Sequence, residues 1–211
     1  MQSPSSAICV LCAERPATSR DHVPPRGFFK GLQANFITVP ACAGCNQGAS
    51  SDDEDMRFFV SMQVGKQAPG AASLWNDGAL KSVKRKTSLR RQVTSTAREV
   101  QITEGQGIAS TRIAVLAPAR LYDAVFGRIT RGLYFFHTGN ILSPTTPIQV
   151  APLTSAPDQA EFNVLQSGSI AGDAFSYWFG IAAEEPSSSL WIYRLYGLHW
   201  VHASTGSASA A

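Results

Sequence analysis

The four cysteines of the chain form two pairs with the same internal spacing. The pairs read Cys9-Val-Leu-Cys12 and Cys42-Ala-Gly-Cys45, and residues 13–41 separate them. A C-x-x-C pair places two thiolates on one side of a tight turn, and two pairs can surround Zn²⁺ with four sulfur ligands. We therefore predict a structural zinc site at Cys9, Cys12, Cys42 and Cys45, because a closed set of four sulfurs leaves no position for water or substrate.

Two other interpretations of the cysteines are open but fit less well. Four unrelated buried thiols would not be expected to fall into two pairs of equal spacing. A redox C-x-x-C pair would be expected beside a thioredoxin-like βαβ pattern, and neither pair has one. If the zinc is structural, any chemistry must come from the segment between the pairs.

That segment brings an acidic residue and a histidine together. The stretch "TSRDHVPPRGFF", residues 18–29, contains Asp21 and His22, and the prolines at 24 and 25 stiffen the chain that follows. Asn35 and Asn46 come later in the same region, with Asn46 directly after the last cysteine. An imidazole can act as a general base near neutral pH, and carboxylate and amide oxygens suit hard divalent cations.

The order of these residues resembles the HNH nuclease family in its zinc-stapled ββα-metal (treble-clef-like) form. His22 matches the first motif position, Asn35 the central asparagine and Asn46 the last position. Asp21 matches the acid that precedes the histidine. The resemblance covers roughly residues 7–65, and two C-terminal segments, "GRITRGLYFFHTGN" and "SSSLWIYRLYGLHW", look like parts of bacterial HNH proteins of unknown role.

The resemblance implies a metal-dependent endonuclease that hydrolyses phosphodiester bonds of DNA. It assigns the general base to His22 and one catalytic Mg²⁺ or Mn²⁺ to Asp21 and Asn46. It gives Asn35 the role of shaping the loop between two strands through backbone hydrogen bonds. At the level of the family it implies a defence or mobile-element effector, with a protein partner or oligomerisation supplying targeting or activation.

Two features depart from the family pattern. The basic residue that often follows the last motif position is missing from "NQGASS", and the next helix starts with the acidic run "DDED". Asp53 or Glu54 could help to hold the cation, although acids also favour the positive end of a helix dipole. The alternative function is a non-catalytic zinc scaffold that binds nucleic acid or a protein.

Basic residues in two regions are candidates for contact with a nucleic-acid backbone. Those near the motif are Arg20, Arg26 and Lys30. The others lie in a basic stretch without acids, residues 81–98, and are Lys84, Arg85, Lys86, Arg90 and Arg91. An ordinary solvated basic face is the alternative for each of them.

Local patterns predict the elements that position these residues. A helix is predicted over 51–65, capped by Ser51 and Glu54 and ended by Gly65. A second helix follows Pro118 and ends at Gly139, with an apolar face formed by Leu121, Val125, Ile129, Leu133 and Phe136. Strands are predicted at 111–118, 161–166, 175–183 and 190–203, and the basic stretch fits either a helix or a strand pair.

The predicted fold class is α+β, with an N-terminal zinc-stapled ββα-metal module and a C-terminal α+β portion containing antiparallel strands. The predicted divisions are a nuclease module at 1–65, a basic connecting segment at 66–105, a C-terminal domain at 106–202 and a disordered tail at 203–211.

Composition places the chain among folded proteins of the cytoplasm. Hydrophobic residues make up 44% and charged residues 16% of the 211 positions, which favours a packed core over disorder. The net charge of +3 permits nucleic-acid binding without requiring it. Because no apolar run is long enough to span a bilayer and no signal peptide is evident, we expect a cytoplasmic protein without membrane contact.

Overall fold

The computed structural model of the chain is a mixed α+β fold whose described sheets are antiparallel, and it describes residues 7–62, 69–103, 107 and 109–206. The fold class is therefore confirmed at this level. The helix expected over 51–65 ends earlier, at Ser61, and Met62 is no longer helical. Gly65 and the division points at 65/66 and 105/106 lie outside the described residues.

A hairpin and two helices form the N-terminal part. Strands β1 (Ser19–Val23) and β2 (Ile37–Ala41) pair in antiparallel fashion. Helices α1 (Ala43–Gly48) and α2 (Ser50–Ser61) follow directly. The capping box expected at Ser51 is wrong, because α2 starts one residue earlier, after Ala49, and no side chain caps it.

The basic stretch is helical, which decides between the two structures that the sequence left open. The described residues of the predicted connecting segment, 66–105, form three helices and a π-helical turn at Trp75–Ala79 before the strand at its end, and the helices are α3 (Pro69–Leu74), α4 (Leu80–Arg85) and α5 (Thr87–Thr96). Leu74, Ala79 and Leu89 are buried in the core of the molecule. The region is therefore part of the packed structure and not only a connection.

A second hairpin and the longest helix come next. Strands β3 (Arg98–Thr103) and β4 (Ala109–Ala114) pair in antiparallel fashion, and helix α6 spans Ala119–Thr138. The predicted start after Pro118 and the end at Gly139 are confirmed, and Gly139 adopts a left-handed conformation with φ of 73°.

Four of the five residues expected on the apolar face of α6 are buried, but Phe136 is 54% exposed. In the last turn the buried face includes Tyr134. Phe136 is on the same side of the helix as Ile129, seven residues before it, but it lies in the last turn, two residues before the helix ends at Thr138.

A five-stranded antiparallel sheet completes the fold, in the order β5-β9-β8-β7-β6. A short helix, α7 (Gln159–Phe162), lies between its first two strands in the sequence, and the strands are β5 (Ile148–Leu153), β6 (Gln166–Ile170), β7 (Phe175–Ile181), β8 (Ser189–Leu195) and β9 (His199–Thr205). The strand predicted at 175–183 is present as β7, and the segment 190–203, predicted as one strand, contains β8 and most of β9.

Two predictions in this region are wrong. The strand expected at 161–166 is replaced by α7 and a turn, because the real edge strand, β6, is small and polar and its position is determined by pairing with β7. The tail expected from residue 203 starts too early, since Ala203 and Thr205 are buried in β9 and pair with β8. Residues 207–211 lie outside the described residues.

The N-terminal and C-terminal parts share one hydrophobic core. The Tyr196 hydroxyl donates a hydrogen bond to the Phe28 carbonyl oxygen, and the rings of Phe29 and Phe175 are 6.3 Å apart. Helix α6 lies so close to β1 that a Cβ atom on Gly132 would be 2.5 Å from Val23 Cγ2. The strand that carries Asp21 and His22 is therefore supported by the C-terminal part.

In the part of the chain that the structure describes, no helix combines the length and apolar character needed to cross a bilayer.

Candidate active site

The four cysteine side chains come together, and their sulfur atoms all lie within 4.8 Å of one another. Zn–S bonds of about 2.3 Å in a tetrahedron place sulfurs about 3.8 Å apart, so this cluster fits a zinc ion with a small contraction. The group could therefore hold a metal ion such as zinc.

Backbone hydrogen bonds shape each cysteine pair. In the first pair, the Ala13 N–H donates to the Cys9 carbonyl oxygen at 2.8 Å, and the Val10 N–H donates to Pro40 on β2 at 2.9 Å. In the second pair, Cys42 precedes α1, and its carbonyl oxygen accepts from the Cys45 N–H at 3.1 Å. The two turns meet because the first is bonded to β2 and the second continues from it. Arg15 also donates a hydrogen bond to Cys45 Sγ at 3.4 Å.

An open cleft of about 490 Å³ brings together residues from distant parts of the sequence. Asp21, His22 and Asn46, three of the four residues assigned to catalysis by the resemblance, line it. The remaining lining residues come from the turn after β1 and from α2 and α4, and they are Pro25, Arg26, Gly27, Ser50, Asp53, Glu54, Arg57 and Arg85. The fourth assigned residue, Asn35, is exposed in the segment before β2 and does not line the cleft.

Asp21 and His22 are neighbours on β1 and both line the cleft. The His22 N–H donates to Asp21 Oδ1 at 2.8 Å, and the other carboxylate oxygen, Oδ2, accepts from Arg128 Nη1 at 3.3 Å. Burial raises the pKa of Asp21, and the positive charge of Arg128 partly offsets this effect. The imidazole of His22 contacts the edge of the Phe36 ring at 5.8 Å between centroids. Packing thus restrains both side chains.

Asn46 connects α1 to β1. Its side-chain Nδ2 donates to Ser19 Oγ and to the Arg20 carbonyl oxygen, each at 3.1 Å. These bonds use the amide nitrogen and leave Oδ1 as the atom with which Asn46 could ligate a cation. The amide is held next to the strand that carries Asp21.

The acidic run at the start of α2 is neutralised within the molecule. Asp52 lies 3.6 Å from Arg120, Asp53 pairs with Arg128, Glu54 pairs with Arg85, and Asp55 pairs with Lys86. The negative charges of these acids are therefore balanced by neighbouring basic side chains, and their repulsion of a polyanion is reduced.

Among the acids of this run, Asp53 has the surroundings most similar to those of Asp21. It lines the same cleft, and burial raises its pKa to about 6, with Arg128 acting in the opposite direction and the charge of Asp21 raising it further. Glu54 differs, because a hydrogen bond from Ser82 and the charges of Arg85 and Lys86 lower its pKa. Of the two acids considered as additional cation ligands, Asp53 is the one that shares a partner with Asp21.

The basic residues expected to contact nucleic acid fall into three groups. Arg26 and Arg85 line the cleft. Lys30, Lys84, Arg90 and Arg91 are exposed elsewhere on the surface. Arg20 and Lys86 are held by internal partners, since Arg20 donates two hydrogen bonds to Thr38 and the Lys86 side chain is only 18% exposed beside Asp55.

Two arginines of the site were not predicted from the sequence. Arg57 lines the cleft from α2, and its Nε atom is buried without a hydrogen-bond partner among the described residues. Arg128 reaches Asp21 from α6. A basic residue on the polar side of α2 was a weak signal for Arg57, but no local pattern indicates the pairing of Arg128.

Comparison of the chain with models of known protein families, with curated proteins and with solved structures finds no match.

Proposed function

We propose that the chain is a metal-dependent HNH-type endonuclease that hydrolyses phosphodiester bonds of DNA. The observation that carries the proposal is that Asp21, His22 and Asn46 line one cleft. The order of strand, strand and helix around a four-cysteine cluster agrees with the resemblance to zinc-stapled ββα-metal nucleases.

The charges around the cleft suit a phosphodiester once a divalent cation is present. Carboxylates at Asp21, Asp53 and Glu54 are matched by guanidinium groups at Arg26, Arg57 and Arg85, so the lining is close to neutral. A divalent cation would make it positive, and an anionic phosphate would then be attracted. The arginines can donate paired hydrogen bonds to phosphate oxygens.

His22 is the general base in this proposal. Its imidazole removes a proton from the attacking water, a role that histidine side chains have in many hydrolytic sites. Asp21 and Asn46 supply oxygen ligands of the type that Mg²⁺ and Mn²⁺ prefer. A cation bound there supplies stabilisation of the negative charge that develops on the phosphate and on the leaving oxygen.

The cysteine cluster has a separate, structural role in the proposal. It holds Zn²⁺ and keeps the turn before β1 beside the start of α1. The proposal therefore predicts two metal sites, one with sulfur ligands for Zn²⁺ and one with oxygen ligands for Mg²⁺ or Mn²⁺.

Nicking of supercoiled plasmid in Mg²⁺ tests the proposal. We expect the wild-type protein to nick it and His22→Ala to lose at least about a hundredfold in rate, which is the usual contribution of a general base. Zinc content and melting temperature should stay at wild-type values. His137→Ala is the matched control, since His137 bonds to the Tyr177 hydroxyl outside the cleft and its removal should leave the rate unchanged.

The outcome separates the proposal from the alternative of a non-catalytic zinc scaffold. The scaffold predicts no metal-dependent cleavage by the wild-type protein and nucleic-acid affinity that does not depend on His22. Cleavage by His22→Ala at the wild-type rate would show instead that the base is another residue.

A further inference from the structure

Arg128 makes one contact with each of two partly buried carboxylates of the cleft. Nη1 lies 3.3 Å from Asp21 Oδ2, and Nη2 donates to Asp53 Oδ1. The third nitrogen, Nε, donates to the Ala124 carbonyl oxygen of its own helix at 3.2 Å. All three nitrogens are therefore used, and the guanidinium plane is held by its own helix on one side and by two acids on the other.

The arginine contacts the acids from outside the cleft. Arg128 is only 18% exposed and does not line the cleft, whereas Asp21 and Asp53 do. Any effect of Arg128 on the reaction must therefore pass through the two carboxylates. The close approach of α6 to β1 at Gly132 fixes the helix that carries it.

We infer that Arg128 is a positioning residue that orients the Asp21 and Asp53 carboxylates for cation binding in the cleft. The inference rests on the proposed function and gives α6, which lies outside residues 7–65 that carry the HNH motif, a part in the site. Two carboxylates in a partly buried place repel each other, and a shared guanidinium holds them close while both are ionised.

The geometry requires an arginine and not only a positive charge. Two different nitrogens of the planar guanidinium contact the two acids, Nη1 contacting Asp21 and Nη2 contacting Asp53. A lysine ammonium is a single point on a flexible chain and cannot reproduce this pair of contacts together with the Nε anchor. Lysine would keep the charge balance but lose the orientation.

Binding of Mn²⁺ to the DNA-free, zinc-loaded protein, followed by the electron paramagnetic resonance signal of free Mn²⁺, tests the inference. We expect Arg128→Lys and Arg128→Gln to bind Mn²⁺ at least about tenfold more weakly than wild type, a reduction usual for residues that orient metal ligands. Arg120→Lys is the matched control, because Arg120 pairs with Asp52 from the same helix but does not line the cleft. Its affinity should equal that of wild type.

Zinc content and melting temperature show whether each variant is folded. Wild-type Mn²⁺ affinity in Arg128→Lys would overturn the inference alone, since charge would then suffice. Loss of zinc and of folding in both variants would overturn it as well, because Arg128 would then be required for folding. A wild-type protein that binds no Mn²⁺ would overturn the proposed function, and the inference with it.

Discussion

Each cysteine side chain contributes to folding through the metal ion that the cluster would hold. The first pair is bonded to β2 and the second lies at the start of α1, so their sulfurs join two turns that are close in space but distant in sequence. Metal binding by such a site is part of the free energy of folding.

We therefore expect Cys42→Ser to lose zinc and to unfold the N-terminal part at ordinary temperature. Elemental analysis of protein purified without chelator should give one zinc per wild-type chain and much less in the variant. Near-ultraviolet and far-ultraviolet circular dichroism would report the loss of structure. A fully folded, zinc-free wild-type protein would contradict the assignment of the four cysteines.

His199, at the start of β9, lies in a setting that favours its neutral form. Its ring stacks on Tyr122 with centroids 5.8 Å apart and an angle of 1° between the planes. Burial lowers the pKa of His199 to about 4. In the unfolded chain the same group has a pKa of about 6.5.

The free energy of unfolding should therefore decrease as the pH is lowered, because of His199. Between pH 6.5 and pH 4 the unfolded chain gains a proton that the folded protein does not, so the free energy of unfolding falls by about 2–3 kcal/mol as pH decreases. Above pH 7 this contribution is constant. In His199→Phe, which keeps an aromatic ring, the decrease should be smaller by that amount in urea titrations at several pH values. Identical pH profiles of the two proteins would refute the effect.

At the scale of elements, two glycines of α6 have opposite roles. A Cβ atom on Gly132 would be 2.5 Å from Val23 Cγ2, whereas a Cβ atom on Gly127 would meet no heavy atom within 4 Å. Gly132 thus permits contact between α6 and β1, and Gly127 only lowers helix propensity.

Gly132→Ala should destabilise the protein by about 1–3 kcal/mol, because α6 and β1 must move apart. Gly127→Ala, the matched control, should stabilise it by up to about 1 kcal/mol through helix propensity. Urea denaturation measures both. Equal effects of the two substitutions would contradict the close approach of α6 to β1.

The elements show which parts of the fold follow from local sequence. Helix α6 could be predicted because Pro118 and Gly139 mark its ends, and the cysteine cluster could be predicted from its spacing. The strand β6 could not, because an edge strand that pairs on one side needs no apolar pattern of its own. The role of Arg128 could not either, since it depends on a contact with Asp21 between residues 107 positions apart.

At the scale of the whole molecule, several of the exposed positive charges lie in one helical region. Lys84, Arg90 and Arg91 are exposed on α4 and α5, whereas Lys86, which lies between them in the sequence, is only 18% exposed and pairs with Asp55. Exposed cations that contact phosphates release counterions and make binding dependent on salt. Lys84, Arg90 and Arg91 can therefore contact a polyanion, whereas Lys86 stabilises α2 through Asp55.

We expect the double variant Arg90→Ala/Arg91→Ala to bind DNA more weakly than wild type. The slope of the logarithm of affinity against the logarithm of salt concentration should decrease by about 0.9 for each phosphate that the variant no longer neutralises. Lys86→Ala is the control: it should lower the melting temperature but leave that slope unchanged. Fluorescence anisotropy with a labelled duplex measures the slopes, and an unchanged slope in the double variant would exclude α5 as a DNA-binding surface.

The contacts that complete the cleft also determine when it can form during synthesis of the chain. Asp21, His22 and the cysteine pairs are synthesised first. Arg128 follows Asp21 by 107 positions, and Tyr196 follows Phe28, to which it bonds, by 168 positions. At about 5–20 residues per second, about 8–34 seconds separate the synthesis of Phe28 from that of Tyr196. A nascent chain that already holds the motif residues thus lacks the helix and the sheet that support β1. The cleft in its supported form can therefore arise only after α6 and the C-terminal sheet have been synthesised.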